Sequence, residues 1–363
     1  MSVGDSLTDA GGLTRRYFAA LGALGWLKLG LVLLFIGGLG VSNQVFSLPA
    51  ESGTLSEPSQ QRAALVAAAG GLVIYLAFRY LAAVLEFVFV ESLRSQALSI
   101  RHYFGSNLGS GLRLLAFRLG LWLAAVAVVA VPVAWTVLAG NVTDPADVTT
   151  TQGVAIGVTA VAALFGLTTI TTLTNAFVVP IMLHERRGAL SGWRRFVDAM
   201  AGNKTGVVGF LLTAWVVGIA LWVGLTIIGF LVSFVGIFGL VLAGQAVTGI
   251  SSAFEPLVVA AVIVGFLGYQ YVITTLVAPI RSYVRYLALV VLGDTERQLD
   301  LVPAQRAAMQ ADGDDTTDRD DARTAVDASE PAAGVRSINE PVDDNEPAGV
   351  GDHNDPTETD EKD

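Results

Sequence analysis

Residues 205–254 read TGVVGFLLTAWVVGIALWVGLTIIGFLVSFVGIFGLVLAGQAVTGISSAF, fifty consecutive positions without Asp, Glu, Lys, Arg or His. About 20 apolar residues suffice for a helix to cross the hydrocarbon of a bilayer, so this run by itself points to a membrane-embedded chain. As one helix it would extend about 75 Å at 1.5 Å per residue, more than twice the apolar thickness. A break is therefore expected, and glycines at 224, 229, 236, 239 and 244 offer places for it. The run then reads as a long tilted helix with an interfacial return, as a helix with a re-entrant piece, or as two crossings.

Four more runs are free of the same residue types: 29–50, 119–143, 148–183 and 256–280. A sixth segment, about 63–90, is apolar except for Arg79 and Glu86. The expected fold is an all-α membrane protein of about six transmembrane helices, arranged as repeated helical hairpins with amphipathic cytoplasmic helices. Composition agrees, with 53% hydrophobic residues, 15% charged and a mean hydropathy of +0.60 over 363 residues. Too little charge is present to coat a water-soluble globule of this size.

Lys and Arg stay preferentially in short cytoplasmic connections. Arg15, Arg16 and Lys28 precede the first span, Arg94, Arg101 and Arg113 lie between the second and third, and Arg186, Arg187, Arg194, Arg195 and Lys204 between the fourth and fifth. The alternate connections hold Glu51, Glu57 and Arg62, then Asp144 and Asp147, then Glu255. Arg281 and Arg285 close the last span on the basic side. An even number of crossings follows, with both termini cytoplasmic, in a multi-pass protein of the cell membrane. The Arg15-Arg16 pair within Thr14 to Phe18 also has the look of a twin-arginine export signal, but a basic lead-in over residues 1–20 that orients the first helix accounts for it more simply.

Charge divides the chain again near residue 302. Residues 1–301 hold 17 Lys and Arg against 14 Asp and Glu, whereas 302–363 hold 5 against 18. The organisation expected is a lead-in over 1–20, a membrane domain over 21–301 and a disordered acidic cytoplasmic tail over 302–363, which lacks aromatics and cannot build a core. Arginine outnumbers lysine 19 to 3 and aspartate outnumbers glutamate 20 to 12. Such repulsion is tolerable where salt is molar and the screening length is about 3 Å, which suggests a halophilic cytoplasm.

A shift of 92 residues aligns Arg94, Ala97, Leu98, Ser99 and Phe104 with Arg186, Ala189, Leu190, Ser191 and Phe196. An internal repeat is the natural reading. Both segments have helical periodicity: Leu93, Ala97, Ile100, Phe104 and Leu108 share a face in the first, and Ala189, Trp193, Phe196 and Met200 in the second. Such helices can lie in the headgroup plane, with apolar residues in the acyl boundary and Arg94, Arg101, Arg186, Arg187, Arg194 and Arg195 as candidate contacts to lipid headgroups or partners.

Polar groups inside a span are functional candidates because their desolvation is costly. Tyr75, Arg79, Ala82 and Glu86 share a face of the second span, and Arg118 lies in the third. Arg79 and Arg118 are shallow enough to snorkel to the headgroups, with or without a pair to Glu86; a buried Arg–Glu element is the alternative. Asn175 in the fourth span and Gln270 in the sixth stand among threonines ahead of Pro180 and Pro279. The threonines can be satisfied on their own helices and serve as interhelical glue, or the two helices can flank a hydrated path.

Signatures of soluble chemistry are missing. Without cysteine there is no thiolate nucleophile or thiolate metal site, the three histidines His102, His184 and His353 are scattered, and no nucleotide-loop or hydrolase elbow is present. The expectation is a non-enzymatic protein with no cofactor, no metal and no nucleic-acid partner. Its expected partners are membrane lipids, other membrane proteins or further copies of itself.

Four stretches carry a resemblance: WLKL at 26–29, EFVFVESLR at 86–94, FVVPIM at 177–182 with GWRRF at 192–196, and RYLAL at 285–289 with LGD at 292–294. In these the chain resembles a group of uncharacterised haloarchaeal six-helix membrane proteins, over roughly residues 20 to 303. More distantly, the pattern from Pro180 to Phe196 is similar to the membrane domain fused to some glycerophosphodiester phosphodiesterases. No hydrolase domain accompanies it here, so no catalytic residue carries over. The resemblance implies membrane location and helix number and no reaction. The functional expectation is a scaffold contacting lipid or partner proteins; a small-solute transporter with a polar path between the fourth and sixth helices is the alternative.

Overall fold

Apolar runs with no water to satisfy their backbone become helices, and in a computed structural model the described parts of this chain's long runs do so. The structure describes residues 3–37, 58–140, 147–202, 204–247 and 255–309. The chain divides into a unit over Met1–Asp312, which holds all of these, and a second over Gly313–Asp363. Among the described residues regular structure is entirely helical. Its elements are α1 (Val3–Ile36), α2 (Pro58–Ser95), α3 (Ile100–Ser106), α4 (Leu108–Gly140), α5 (Thr150–Leu173), a π turn (Thr174–Val178), α6 (Val179–Glu185), α7 (Ala189–Met200), α8 (Lys204–Val247) and α9 (Glu255–Thr295). Six segments are long and apolar enough to cross a membrane: Gly4–Ile36, Pro58–Ser95, Leu108–Leu138, Thr150–Glu185, Lys204–Phe234 and Ala260–Thr295. This is the architecture of a multi-pass membrane protein.

The break expected in the 205–254 run does not occur before Val247, because α8 is a single helix of 44 residues. Glycine in a helix interior costs about 1 kcal/mol, whereas each backbone group left unsatisfied in hydrocarbon costs several. Continuing the helix through its glycines is therefore the cheaper solution. Residues 248–254, where the run ends, lie outside the described residues.

Burial is distributed unevenly along the helices. The buried core is built from residues 82–93 of α2, 176–182 around the π turn and 285–292 of α9, with Phe196, Met200 and Phe210. Away from this basic end, large apolar side chains face outward, from Leu65 to Ile74 on α2, Leu119 to Leu138 on α4, Leu212 to Phe234 on α8 and Val262 to Ile280 on α9. From residue 119 to 138 a helix rises about 30 Å, one hydrocarbon thickness. On α9 this outward-facing apolar stretch ends at Ile280, just before Arg281, whereas on α4 exposed apolar side chains continue past Arg118 to Leu112 and Leu108.

α1 is two arms joined at Gly22, whose φ of 63° favours glycine because no Cβ obstructs it. Ser6 donates to Asp294 and Tyr17 packs edge-on against Tyr286, so the first arm climbs α9 toward its amino end. Trp26 Nε1 reaches the Thr275 carbonyl, after which Leu33 and Ile36 stand beside Arg281 and Arg285. Successive contacts of the second arm therefore move back down α9. Residues 3–21 are thereby packed within the bundle, with Ala10, Leu13 and Tyr17 fully buried. Most of the first expected span, 38–50, lies outside the described residues.

At the other end of the membrane unit, Val302 is buried, residues 303–309 form a further helical turn, and Gln305 donates to the carbonyls of Leu93 and Arg94. Tyr286 also donates to the Leu93 carbonyl. These groups satisfy the terminal carbonyls that α2 cannot bond within itself. Residues 302–309 accordingly pack onto the helices instead of starting the tail, and the rest of the acidic segment, from 310, lies outside the described residues.

The amphipathic α7 corrects the expected orientation of its apolar face. Ala189, Phe196 and Met200 point into the protein, Phe196 stacks on Phe177 at 5.1 Å, and Trp193 Nε1 donates to Thr174 Oγ1 at 3.1 Å. The periodicity that suits an acyl boundary suits an aromatic protein surface equally well, and here the protein takes it. In the segment that the 92-residue shift aligns with it, α3 is only seven residues long and buries no side chain completely.

α4 meets α2 closely at Gly111, where a Cβ would strike the Val84 side chain and come within 3.2 Å of its Cα. Gly111→Ala is expected to destabilise the detergent-solubilised protein by about 1–3 kcal/mol through overpacking. Gly109→Ala, two residues away with open space around it, should leave the thermal midpoint unchanged apart from a slight helix-propensity gain.

Candidate functional site

Two groups of polar residues stand out, one at the edge of the apolar belt and one on the basic end. The first centres on Glu86, whose side chain is 2% exposed. Arg285 Nη2 donates to its Oε1 at 2.8 Å, and Arg118 Nη2 forms an ion pair with its Oε2. The same nitrogen of Arg118 donates to Asn175 Oδ1 at 2.6 Å. Carboxylate, amide and two guanidinium groups so join α2, α4, the π turn and α9. Arg285 further lies over the Phe89 ring at 5.8 Å, within cation–π range.

Local sequence explains how Asn175 gets there. Pro180 has no N–H to donate to the preceding turn, and the ladder widens ahead of it, with the Val179 N–H bonded to the Thr174 carbonyl five residues back. One extra residue in the turn rotates Asn175 toward Arg118, while Thr174 Oγ1 back-bonds to the Ile170 carbonyl at 2.6 Å.

Of the five intramembrane candidates, Glu86, Arg118 and Asn175 come together. Arg79 does not: it is half-buried, and Glu86 takes its partners from α4 and α9 instead of from its own helix. Arg118 pairs with Glu86. Gln270 is remote, since fifteen residues of α9 separate it from Arg285, about 22 Å along the axis. Threonine hydroxyls at 168, 172, 274 and 275 donate to the carbonyl four residues earlier on their own helices. Sequence reasoning placed Arg285 as a topological flank and missed it as the main-chain-distant partner of Glu86. A signal existed, because a buried acid requires a cation and the last span closes on Arg281 and Arg285, although the sequence does not say which of the two reaches it.

A cavity of about 290 Å³ opens beside this cluster, bounded by Glu86, Asn175, Arg281 and Arg285 on one side and by α8 residues such as Phe210 and Val217 on the other. The Arg281 guanidinium lies beside Gly37, with Nη1 3.5 Å from where a Cβ would stand.

The second group is a cleft of about 770 Å³ on the basic end, lined by Arg94, Arg113, Arg186, His102 and His184. Glu91 is its one lining carboxylate, and it pairs with Arg94 at 2.6 Å. The remaining candidate arginines behave differently from one another. Arg187 and Arg195 both pair with Glu185, and Arg195 also with Glu296, whereas Arg101, Arg186 and Arg194 are exposed. Among the described residues no group of three or more His, Asp or Glu could hold a metal ion.

Removing one partner from a buried ion pair leaves the other charge uncompensated, at about 3–5 kcal/mol. Glu86→Gln, which strips the counter-charge from both Arg118 and Arg285, should therefore lower stability by about that amount, measured as chemical unfolding in detergent, and Arg285→Met, which leaves Arg118 on Glu86, by less. Arg79→Met and Gln270→Leu, outside the cluster, should change it by less than about 0.5 kcal/mol.

Neither the curated proteins nor the solved structures contain a match to the chain. A family model matches residues 1–302, which takes in every element described above except the final helical turn. The chain belongs to the family of unknown function DUF7544.

Proposed function

We propose that the protein is a non-enzymatic multi-pass scaffold, with both termini in the cytoplasm, that holds acidic groups of lipid headgroups or partner proteins in its basic cleft. The observation that carries this reading is the convergence of Arg94, Arg113 and Arg186 on one cleft in which Glu91 is the lining carboxylate. Two of these, Arg94 and Arg186, occupy matching positions of the 92-residue repeat, so both copies of the repeated segment supply the same cleft. Guanidinium groups suit phosphate and carboxylate because their fork donates two parallel hydrogen bonds. The excess of Lys and Arg on this end supports its cytoplasmic placement. Transport has weaker support, because Gln270 stands far from Asn175 and the hydroxyls of Thr168, Thr172, Thr274 and Thr275 are bonded to their own helices.

Binding of a fluorescent deca-aspartate peptide and of pyrophosphate to the detergent-solubilised protein tests the reading. Wild type should bind with an affinity that falls as salt rises, and Arg94→Ala/Arg113→Ala/Arg186→Ala should bind about a hundredfold more weakly, at roughly 1 kcal/mol per contact. Equal binding by the triple variant would remove the cleft from consideration. Phosphate flux into proteoliposomes that disappears in Asn175→Leu/Gln270→Leu would favour transport instead.

A further inference from the structure

The Glu86 cluster is out of electrostatic balance. Arg118 and Arg285 share the one carboxylate, and Arg281, which lines the same cavity, is reached by no hydrogen bond or ion pair from the described residues. Among the described residues one carboxylate thus stands against three arginines here, and burying charge without a counter-charge is costly. Arg281 borders the cavity of about 290 Å³ and so addresses its guanidinium to an open space.

Position narrows what could fill that space. Arg281 follows Ile280, the last exposed large apolar residue of α9, and so stands at the basic edge of that helix's outward-facing apolar stretch. That is the depth at which lipid phosphates meet the acyl region. The wall opposite the arginines is apolar, formed by Phe210, Ala214, Val217 and Leu221 of α8. A free inorganic anion would find cations here and nothing else to contact, whereas an amphiphile with one anionic head would satisfy both walls.

We propose that this cavity binds one anionic phospholipid, with its phosphate on Arg281 and Arg285 and the upper part of an acyl chain along α8. Asn175 already gives its oxygen to Arg118, so its amide N–H₂ remains to donate to the same phosphate. The site is separate from the basic cleft and does not depend on the scaffold reading.

Purified full-length protein in a neutral detergent, titrated with dioleoylphosphatidylglycerol, dioleoylphosphatidylcholine or inorganic phosphate and followed by thermal unfolding and by counting retained lipid, provides the test. Wild type should retain about one phosphatidylglycerol per chain and gain thermal stability from it, with little response to phosphatidylcholine or phosphate. Arg281→Met should weaken phosphatidylglycerol binding about tenfold or more, the loss expected for one charged hydrogen bond. Ala214→Trp fills the cavity from α8 without touching any charge and should have the same effect, which keeps the test open if Arg281→Met misfolds. Arg79→Met and the cleft triple variant should bind like wild type, so that failure of this site and failure of the cleft are told apart. Undiminished binding in both Arg281→Met and Ala214→Trp, or equal stabilisation by inorganic phosphate, would overturn the proposal.

Discussion

A carboxylate at the edge of hydrocarbon cannot be left alone, and the arrangement of this protein follows from how Glu86 is accommodated. Its two oxygens are taken by guanidinium groups from α4 and α9, and one of those guanidinium groups is steadied by an amide from the π turn. Ionic and hydrogen-bonded contacts are directional, unlike contacts among leucines and lipid tails, which differ little in energy. The cluster therefore specifies which helices meet and at what height, a task that apolar packing inside a bilayer does poorly.

Below that level the protein becomes more like a water-soluble core. Tyr17 shares a hydrogen bond with Ser92 at 2.9 Å, Tyr286 and Gln305 serve the Leu93 carbonyl, and Arg306 pairs with Asp294 at 2.6 Å. Aromatic rings at 177, 193, 196 and 210 interlock beneath the π turn. Above it the helices present Leu, Val, Ile, Phe and Trp outward. One helix set thus performs two jobs along its length, and the charged cluster marks the change from one to the other. That position also explains why a cavity there joins an apolar wall to Arg281 and Arg285, and why the basic cleft lies beyond it on the same end.

Much of this was legible in the chain. Charge-free runs of 22 to 50 residues dictate membrane helices because the backbone has no other partner in oil. Glu86, Arg118 and Asn175 could be singled out because polar groups are costly there, but the same logic also selected Arg79 and Gln270, which the cluster leaves out. Cost identifies a residue that needs an explanation and does not say which helix supplies its partner. Helical periodicity likewise revealed that α7 has an apolar face, yet only packing showed that Phe177 and Val178, not acyl chains, cover it.

Sequence by itself determined the medium, the helical class and the sites of unavoidable polarity, since all three depend on transfer energies of individual residues and on backbone hydrogen bonding within one segment. Tertiary structure alone decided that Arg285 answers Glu86 across 199 positions of chain, that α8 runs through its glycines, that α1 turns back at Gly22, and that Arg281 faces a cavity. These depend on distances between helices, and such distances are set by the simultaneous packing of segments whose spacing in the chain carries no trace of their contact.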